Sequence, residues 1–285
     1  MSIHTICVCG AGTMGSGIAQ AAAQSGFFTL LFEVNPDVIE KAKQNISANL
    51  SRLVDKGKME QEEKEKVLQR IQFTSDIQDC LADVFIEAIV EKPELKIALF
   101  NQLAELNHSE TVFATNTSSL SVSKIASSVV SPSRVIGMHF FNPATIMKLV
   151  EIVVTEQTND QTRESIISLA KQMGKVPVIC KDRPGFIVNR VARPYYIETL
   201  RLVEEGQVSI EQADRLLESL GFKMGPFKLM DLIGNDVNYA VSCSVYEQLN
   251  EPGRLKPSTI QQQLVLQGKL GKKTGEGYYK YLRPN

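Results

Sequence analysis

Histidine occurs only three times in the 285 residues, and one copy, His139, stands inside VIGMHFFNPATIMKLVEIV, residues 135–153. A run that apolar reads as buried strand, where an imidazole is poorly solvated unless a partner holds it. Glu151, in the next apolar run LVEIVV, could bring a carboxylate to one ring nitrogen while the other faces a reacting group. That would fix the tautomer and stabilise the imidazolium, which is the chemistry of a general acid and base. The competing readings are a core histidine satisfied by a backbone carbonyl and an edge-strand carboxylate. Two further stretches add polar groups. FATNTSSLSVSK ends an apolar run in amides and hydroxyls, Asn116 and Ser118 among them, where open α/β sheets place their ligands. PGFIVNR carries Asn189 at the start of a helical region. A serine cluster is equally an N-cap and turn.

A second constellation concerns phosphate. ICVCGAGTMGSG sets Gly10, Gly12 and Gly15 in the G-x-G-x-x-G spacing, directly after an apolar run and at the head of a helical pattern, with Thr13 and Met14 between them. The first glycine permits a tight turn, the second lets backbone approach a pyrophosphate, and the third lets helix pack on strand. Glu33, closing TLLFE about twenty residues on, is the acidic residue that accepts from ribose hydroxyls. It would repel a 2′-phosphate, and the following VNPD offers no arginine to receive one. The expected cofactor is NAD rather than NADP.

The elements that must position these groups follow from texture. Up to Arg183, short apolar runs (ICVC, TLLFE, DVFIEAIV, VFATN, RVIGM, LVEIVV, VPVIC) alternate with helix-like segments such as PDVIEKAKQNISANLSRLVDK. That alternation predicts an α/β fold with a Rossmann-type, mostly parallel, doubly wound sheet. Pro93 reads as a first-turn proline, with Lys96, Phe100 and Leu103 following at helical spacing. After KDRPG the pattern turns to amphipathic helices, so residues 1–183 are expected to form the NAD-binding domain and 184–285 a smaller, all-helical C-terminal domain. GKLGKKTGEGYYKY reads as an ordered turn, and the glutamines of QQQLVLQ read as exposed and without function.

Composition narrows the partners. Lys and Arg number 31 against 32 Asp and Glu, a net charge of -1, which gives no global field for nucleic acid or an anionic membrane. The five cysteines form no metal-ligand or disulfide framework, no apolar stretch has spanning length, and the N-terminus enters a strand-like run without a leader. A reduced, cytoplasmic protein without a metal is expected.

Taken together, GAGTMGSGIAQ, EAIVEKPELK, NTSSLSVSKIA, GMHFFNPATIMKLVEIV, KDRPGFIVNR and GKKTGEGYY resemble the 3-hydroxyacyl-CoA dehydrogenases, of the short bacterial 3-hydroxybutyryl-CoA dehydrogenase type, nearly end to end. The resemblance implies that His139 is the acid/base, Glu151 its partner, Ser118 a contact of the reacting oxygen and Asn189 a positioner of acyl-CoA. It also implies Glu91 and Lys96 beside the nicotinamide, Ser51 and Lys58 against CoA, and a homodimer formed through the helical domain. NRVARPYY and IGNDVNYAVSCSVYEQL look more like the branch acting on 3-hydroxyadipyl-CoA in phenylacetate breakdown. A distal carboxylate would need a cation there, and Arg193 is the candidate, with an interdomain or subunit salt bridge as its alternative. A dehydrogenase of small hydroxy acids without CoA, or a crystallin-like protein without turnover, is the rival reading.

Overall fold

The structure, a computed structural model, describes residues 3–281. The chain forms two compact units, Met1–Asp182 and Arg183–Asn285. The first is built on an eight-stranded sheet: β1 (Thr5–Cys9), β2 (Phe28–Phe32), β3 (Ile71–Thr74), β4 (Val84–Glu87), β5 (Val112–Thr115), β6 (Val135–Phe140), β7 (Leu149–Val154) and β8 (Val176–Lys181). Spatial order is β3-β2-β1-β4-β5-β6-β7-β8. Every pairing is parallel except β6 with β7. The strand order reverses beside β1, which creates the crevice where open α/β sheets take nucleotides.

Helices α1 (Thr13–Gln24), α2 (Pro36–Asp55), α3 (Gln61–Gln69), α4 (Pro93–Leu106), α5 (Val122–Ala126) and α6 (Asp160–Gln172) fill the connections. Helix α2 starts where its sequence says it must: Pro36 supplies the fixed φ of the first turn, and the Asn35 side chain accepts from the Asp37 amide. Alternation along the strands divides the sheet into two faces. On one, Ile6, Val8, Ile86, Ala114, Ile136, Met138, Val150 and Ile152 join α1 and α6 in a single buried cluster. At about 1.5–3 kcal/mol for each large aliphatic side chain, that cluster contributes much of the stability of the unit. His139, adjacent to Met138, points to the other face.

One strand escapes the sequence reading. IQFT, β3, is four residues long with Gln72 exposed, too short and too polar for period-two alternation to show. β7 also departs from the parallel alternation. Only residues 141–148 separate it from β6, and a connection that short cannot make a parallel crossover.

The second unit is helical, as its periodicity predicts: α7 (Val188–Glu204), α8 (Ile210–Ser219), α9 (Pro226–Ile233), α10 (Asn235–Gln248) and α11 (Thr259–Leu266). Its core gathers Tyr196, Leu200, Ala213, Phe227 and Met230. The glycine-rich tail is ordered for a reason: the buried Asp231 carboxylate accepts from the Tyr278 and Tyr279 amides, both at 3.0 Å, and from the Tyr281 hydroxyl at 2.9 Å. A Cβ on Gly277 would fall 2.0 Å from Asp231 Oδ1, so only glycine lets the tail close on that carboxylate.

Candidate active site

The antiparallel return of β7 decides the central geometry. Its register sets Glu151 directly opposite His139, and the side chains meet with Nδ1 2.8 Å from Glu151 Oε2. Both are buried, at 6% and 1% exposure. A carboxylate at Nδ1 accepts its proton and leaves Nε2 with a lone pair, which is the tautomer a general base needs. Glu151 is therefore an imidazole partner and not a solvated edge charge. Phe141 lies against the imidazole, with ring centroids 4.6 Å apart.

Asn116, one residue past β5, accepts the Phe140 amide at 2.9 Å through Oδ1. It thereby ties the end of β5 to the end of β6, bringing the NTSS loop to the strand that carries His139. In that loop Ser121 caps α5 by accepting the Lys124 amide, so the capping reading holds for this serine. Asp182, at the end of β8, accepts from the Ser121 hydroxyl and the Ser123 amide, both at 2.8 Å. Ser118 stands before the cap, its amide donating to Glu91 Oε1 at 3.1 Å.

The glycine loop lies at the switch point beside β1. Gly10 has φ +99°, and a Cβ there would sit 2.7 Å from the Ala88 carbonyl oxygen; one on Gly15 would sit 1.7 Å from the Gly10 oxygen. Those two glycines are demanded by the protein itself. Gly12 is different: it is exposed, its φ is -66°, and a Cβ there would meet nothing within 4 Å. Nothing within the chain requires a glycine there, and the bare backbone leaves room for a pyrophosphate to approach. Thr13 and Met14 open α1, whose N-terminus has no side-chain cap and no acidic residue in its first turn, leaving amides and the positive dipole end for an anion. Glu33 stands against this loop, accepting the Ala11 amide through Oε2 and the Asn35 amide through Oε1, both at 3.1 Å. These residues fit a dinucleotide.

Lys96 is 1% exposed, which leaves its ammonium almost no surface to present to a cofactor directly. It bonds Glu87 Oε1 at 2.6 Å and Glu91 Oε2 at 3.1 Å. Burial pushes the Glu87 carboxyl up, more than Lys96 draws it back. For Glu91 the balance is reversed: burial raises it, but the Lys96 charge and the Thr117 hydroxyl bring it below its ordinary value. Glu87, Thr117 and Asp182 escaped the sequence reading. The signal for Glu87 was present in DVFIEAIV, a carboxylate inside an apolar run just as in LVEIVV.

Ser51 is half-buried on α2, its hydroxyl donating to the Ser47 carbonyl and accepting from Lys64 Nζ at 2.9 Å. It lines a shallow open depression with Lys43, Gln44, Ser47 and Ala48. Lys58 is exposed in the turn after α2. Asn189 lies in the first turn of α7, in the second unit, where its carbonyl accepts from Arg193 Nε at 3.0 Å.

Two expectations in the helical unit are corrected. Arg193 makes no ion pair among the described residues, and its guanidinium is taken up inside the helical unit rather than offered to a distal carboxylate. It is 2% exposed, with Nη1 donating to the Asn238 carbonyl and the Ser242 hydroxyl and its guanidinium 5.0 Å from the Tyr196 ring centroid. Burial without a carboxylate lowers its pKa to about 10. Of the glutamines in QQQLVLQ, Gln261 is buried, donating to the Asn235 and Asn238 side chains at 3.4 and 3.2 Å. Among the described residues no cluster of His, Cys, Asp and Glu could hold a metal ion, and no helix is long and apolar enough to cross a membrane.

Comparison with known proteins accords with this geometry. Residues 5–183 match the 3-hydroxyacyl-CoA dehydrogenase NAD binding domain, and residues 185–281 match the 3-hydroxyacyl-CoA dehydrogenase C-terminal domain. A 3-hydroxyadipyl-CoA dehydrogenase of Escherichia coli (strain K12) is 46% identical over 281 residues, covering 98% of this chain and 59% of that protein. The mitochondrial hydroxyacyl-coenzyme A dehydrogenase of Rattus norvegicus is 42% identical over 287 residues, 98% of this chain and 91% of its own. Among solved structures, a 3-hydroxybutyryl-CoA dehydrogenase from Escherichia coli K12 superposes with a TM-score of 0.95 at 45% identity, over 100% of this chain and 61% of that one. The chain thus spans about three fifths of the length of the two Escherichia coli proteins. With both family domains matched in order, the chain belongs to the 3-hydroxyacyl-CoA dehydrogenase family of NAD-dependent oxidoreductases.

Proposed function

We propose that the chain oxidises (S)-3-hydroxyacyl-CoA to 3-ketoacyl-CoA and catalyses the reverse, with short acyl chains such as 3-hydroxybutyryl as substrate. The observation that carries this reading is the His139–Glu151 contact, made within one rung of the sheet at the same strand-end edge as the glycine loop. Bound NAD supplies the hydride acceptor. His139 Nε2 removes the proton of the 3-hydroxyl as the carbinol carbon gives up its hydride, and Glu151 at Nδ1 stabilises the imidazolium that results. In reverse the imidazolium is the acid. Ser118 and Asn189 orient the oxygen that gains carbonyl character, Glu91 and, through it, Lys96 serve the nicotinamide end, and Ser51 and Lys58 hold CoA.

In this reading residues 1–183 bind NAD while 184–285 hold acyl-CoA and form a homodimer. Exposed Leu216, Leu220, Phe222, Leu232 and Val237 in the helical unit support the latter, and sedimentation at micromolar concentration tests it: a monomer there removes the dimer. Five free cysteines support a reduced, cytoplasmic setting.

The deciding experiment follows NADH consumption with acetoacetyl-CoA, longer 3-ketoacyl-CoAs and 3-ketoadipyl-CoA. The highest kcat/KM is expected for acetoacetyl-CoA. A second reading, 3-hydroxyadipyl-CoA, is favoured by the name of the 46% identical relative and opposed by the committed guanidinium of Arg193; a maximum on 3-ketoadipyl-CoA would establish it. Absence of turnover with all three would sink both in favour of a non-catalytic protein.

A further inference from the structure

Cys9, Glu87, Thr115 and Gly137 pair across β1, β4, β5 and β6 in one row of the sheet. Paired residues of a parallel ladder face the same way, and Gly137 is two residues from His139, so Glu87 lies on the histidine's face of the sheet. Glu87 is fully buried. Its Oε2 accepts the Thr115 hydroxyl at 2.7 Å, while Oε1 accepts the Ile89 amide at 2.7 Å and the Lys96 ammonium at 2.6 Å. Lys96 reaches on to Glu91 Oε2. Glu91 Oε1 in turn accepts from the Thr117 hydroxyl, the Ser118 amide at 3.1 Å and the Ser119 hydroxyl at 3.3 Å.

One cation therefore lies between two carboxylates, and the outer carboxylate grips three consecutive loop residues. Without the inner charge, the buried ammonium would have Glu91 alone to answer it, and Coulomb attraction would draw the two together. The loop bonds to Glu91 would loosen in consequence.

We propose that Glu87, acting through Lys96 and Glu91, is the positioning residue for the loop that carries Ser118. It touches neither substrate nor cofactor. The proposal rests on the role given to Ser118 above, so its test must separate the two.

Glu87→Gln keeps the side-chain shape while removing the charge and one of the two acceptor oxygens, and Thr117→Val cuts the far end of the same chain with another near-isostere. Each is expected to lower kcat on the order of tenfold, because a misplaced contact costs rate. Amide exchange at Ser118 should quicken in both full-length variants. In a Ser118→Ala background the loss of kcat is expected to vanish largely, since the group being positioned is gone. Additive losses, or unaltered kcat and exchange in both single variants, would overturn the proposal. If Ser118→Ala alone leaves turnover intact, it is the Ser118 reading that fails; exchange at residues 117–119 in Glu87→Gln then decides the positioning claim by itself.

Discussion

Each unit of the chain buries carboxylates, and the two do so in opposite ways. In the first, Glu151 meets an imidazole and Glu87 meets an ammonium. In the second, Asp231 and Asp214 meet only amides and tyrosine hydroxyls. Asp231 accepts from two amides, the Tyr281 hydroxyl and the Asn235 side chain; Asp214 accepts from the Phe227 and Lys228 amides and the Tyr279 hydroxyl. Burial and the adjacent carboxylates push the Tyr279 and Tyr281 hydroxyls well above their usual range, so these too keep their protons. A buried acid ringed by fixed donors is a structural pin. One set against an imidazole or an ammonium fixes the orientation of a side chain that can do chemistry or carry charge.

The largest effect that separates the two kinds is expected from His139→Gln. Turnover falls by roughly 10² to 10⁴, the usual contribution of a positioned acid/base, while NAD affinity by fluorescence titration and the urea midpoint stay near wild type. Undiminished turnover would remove His139 from the mechanism. Asp231→Asn is expected to do the converse: stability drops by about 1–3 kcal/mol in urea unfolding, because amide donors are left facing an NH₂ group, with kcat per folded molecule preserved. A kcat loss without destabilisation would break the distinction.

Glu33 is an intermediate case, pinned by two amides yet half exposed, so it is expected to serve binding. Glu33→Ala is expected to weaken NAD by about tenfold, the size of one or two lost charged hydrogen bonds, and to weaken NADP much less; equal losses would contradict the ribose role.

The smallest effect concerns Glu204 at the surface of the second unit. Burial raises its pKa, but bonds from the Ser258 hydroxyl, the Ile260 amide and both the hydroxyl and the amide of Thr259 outweigh it and hold the carboxyl below its ordinary value. A depressed folded-state pKa stabilises above the unfolded value and loses that contribution as pH falls through the folded one. Glu204→Gln should therefore flatten the acid limb of a Tm-against-pH curve slightly, leaving the neutral region lowered by a small constant.

How much of this was legible depended on distance along the chain. His139 with Glu151 and the three glycines with Glu33 could be read because short spacing and a strand period bring them together. Glu87 and Thr117 could not, because their meeting around Lys96 is set by the register of β4 with β5 and by the pitch of α4. Lys96 itself is named through the family resemblance, and its spacing with Phe100 and Leu103 marks it as inward-facing. Arg193 misled because a cation one turn from Asn189 looks available until helix α10 is seen to cover it. Gln261 misled likewise, since composition says nothing of which glutamine in a run faces a neighbouring helix.

The eight-residue return between β6 and β7 has a consequence for folding fidelity. Val150 and Ile152, fully buried on the apolar face, flank Glu151 in the strand. A one-residue slip of β7 would rotate Glu151 away from the imidazole and into the apolar cluster, while both aliphatic side chains left it. The chain thus cannot settle into that mispaired, inert arrangement without disrupting its core, and the cost of setting a carboxylate among hydrocarbons proofreads the alignment of the acid and the base.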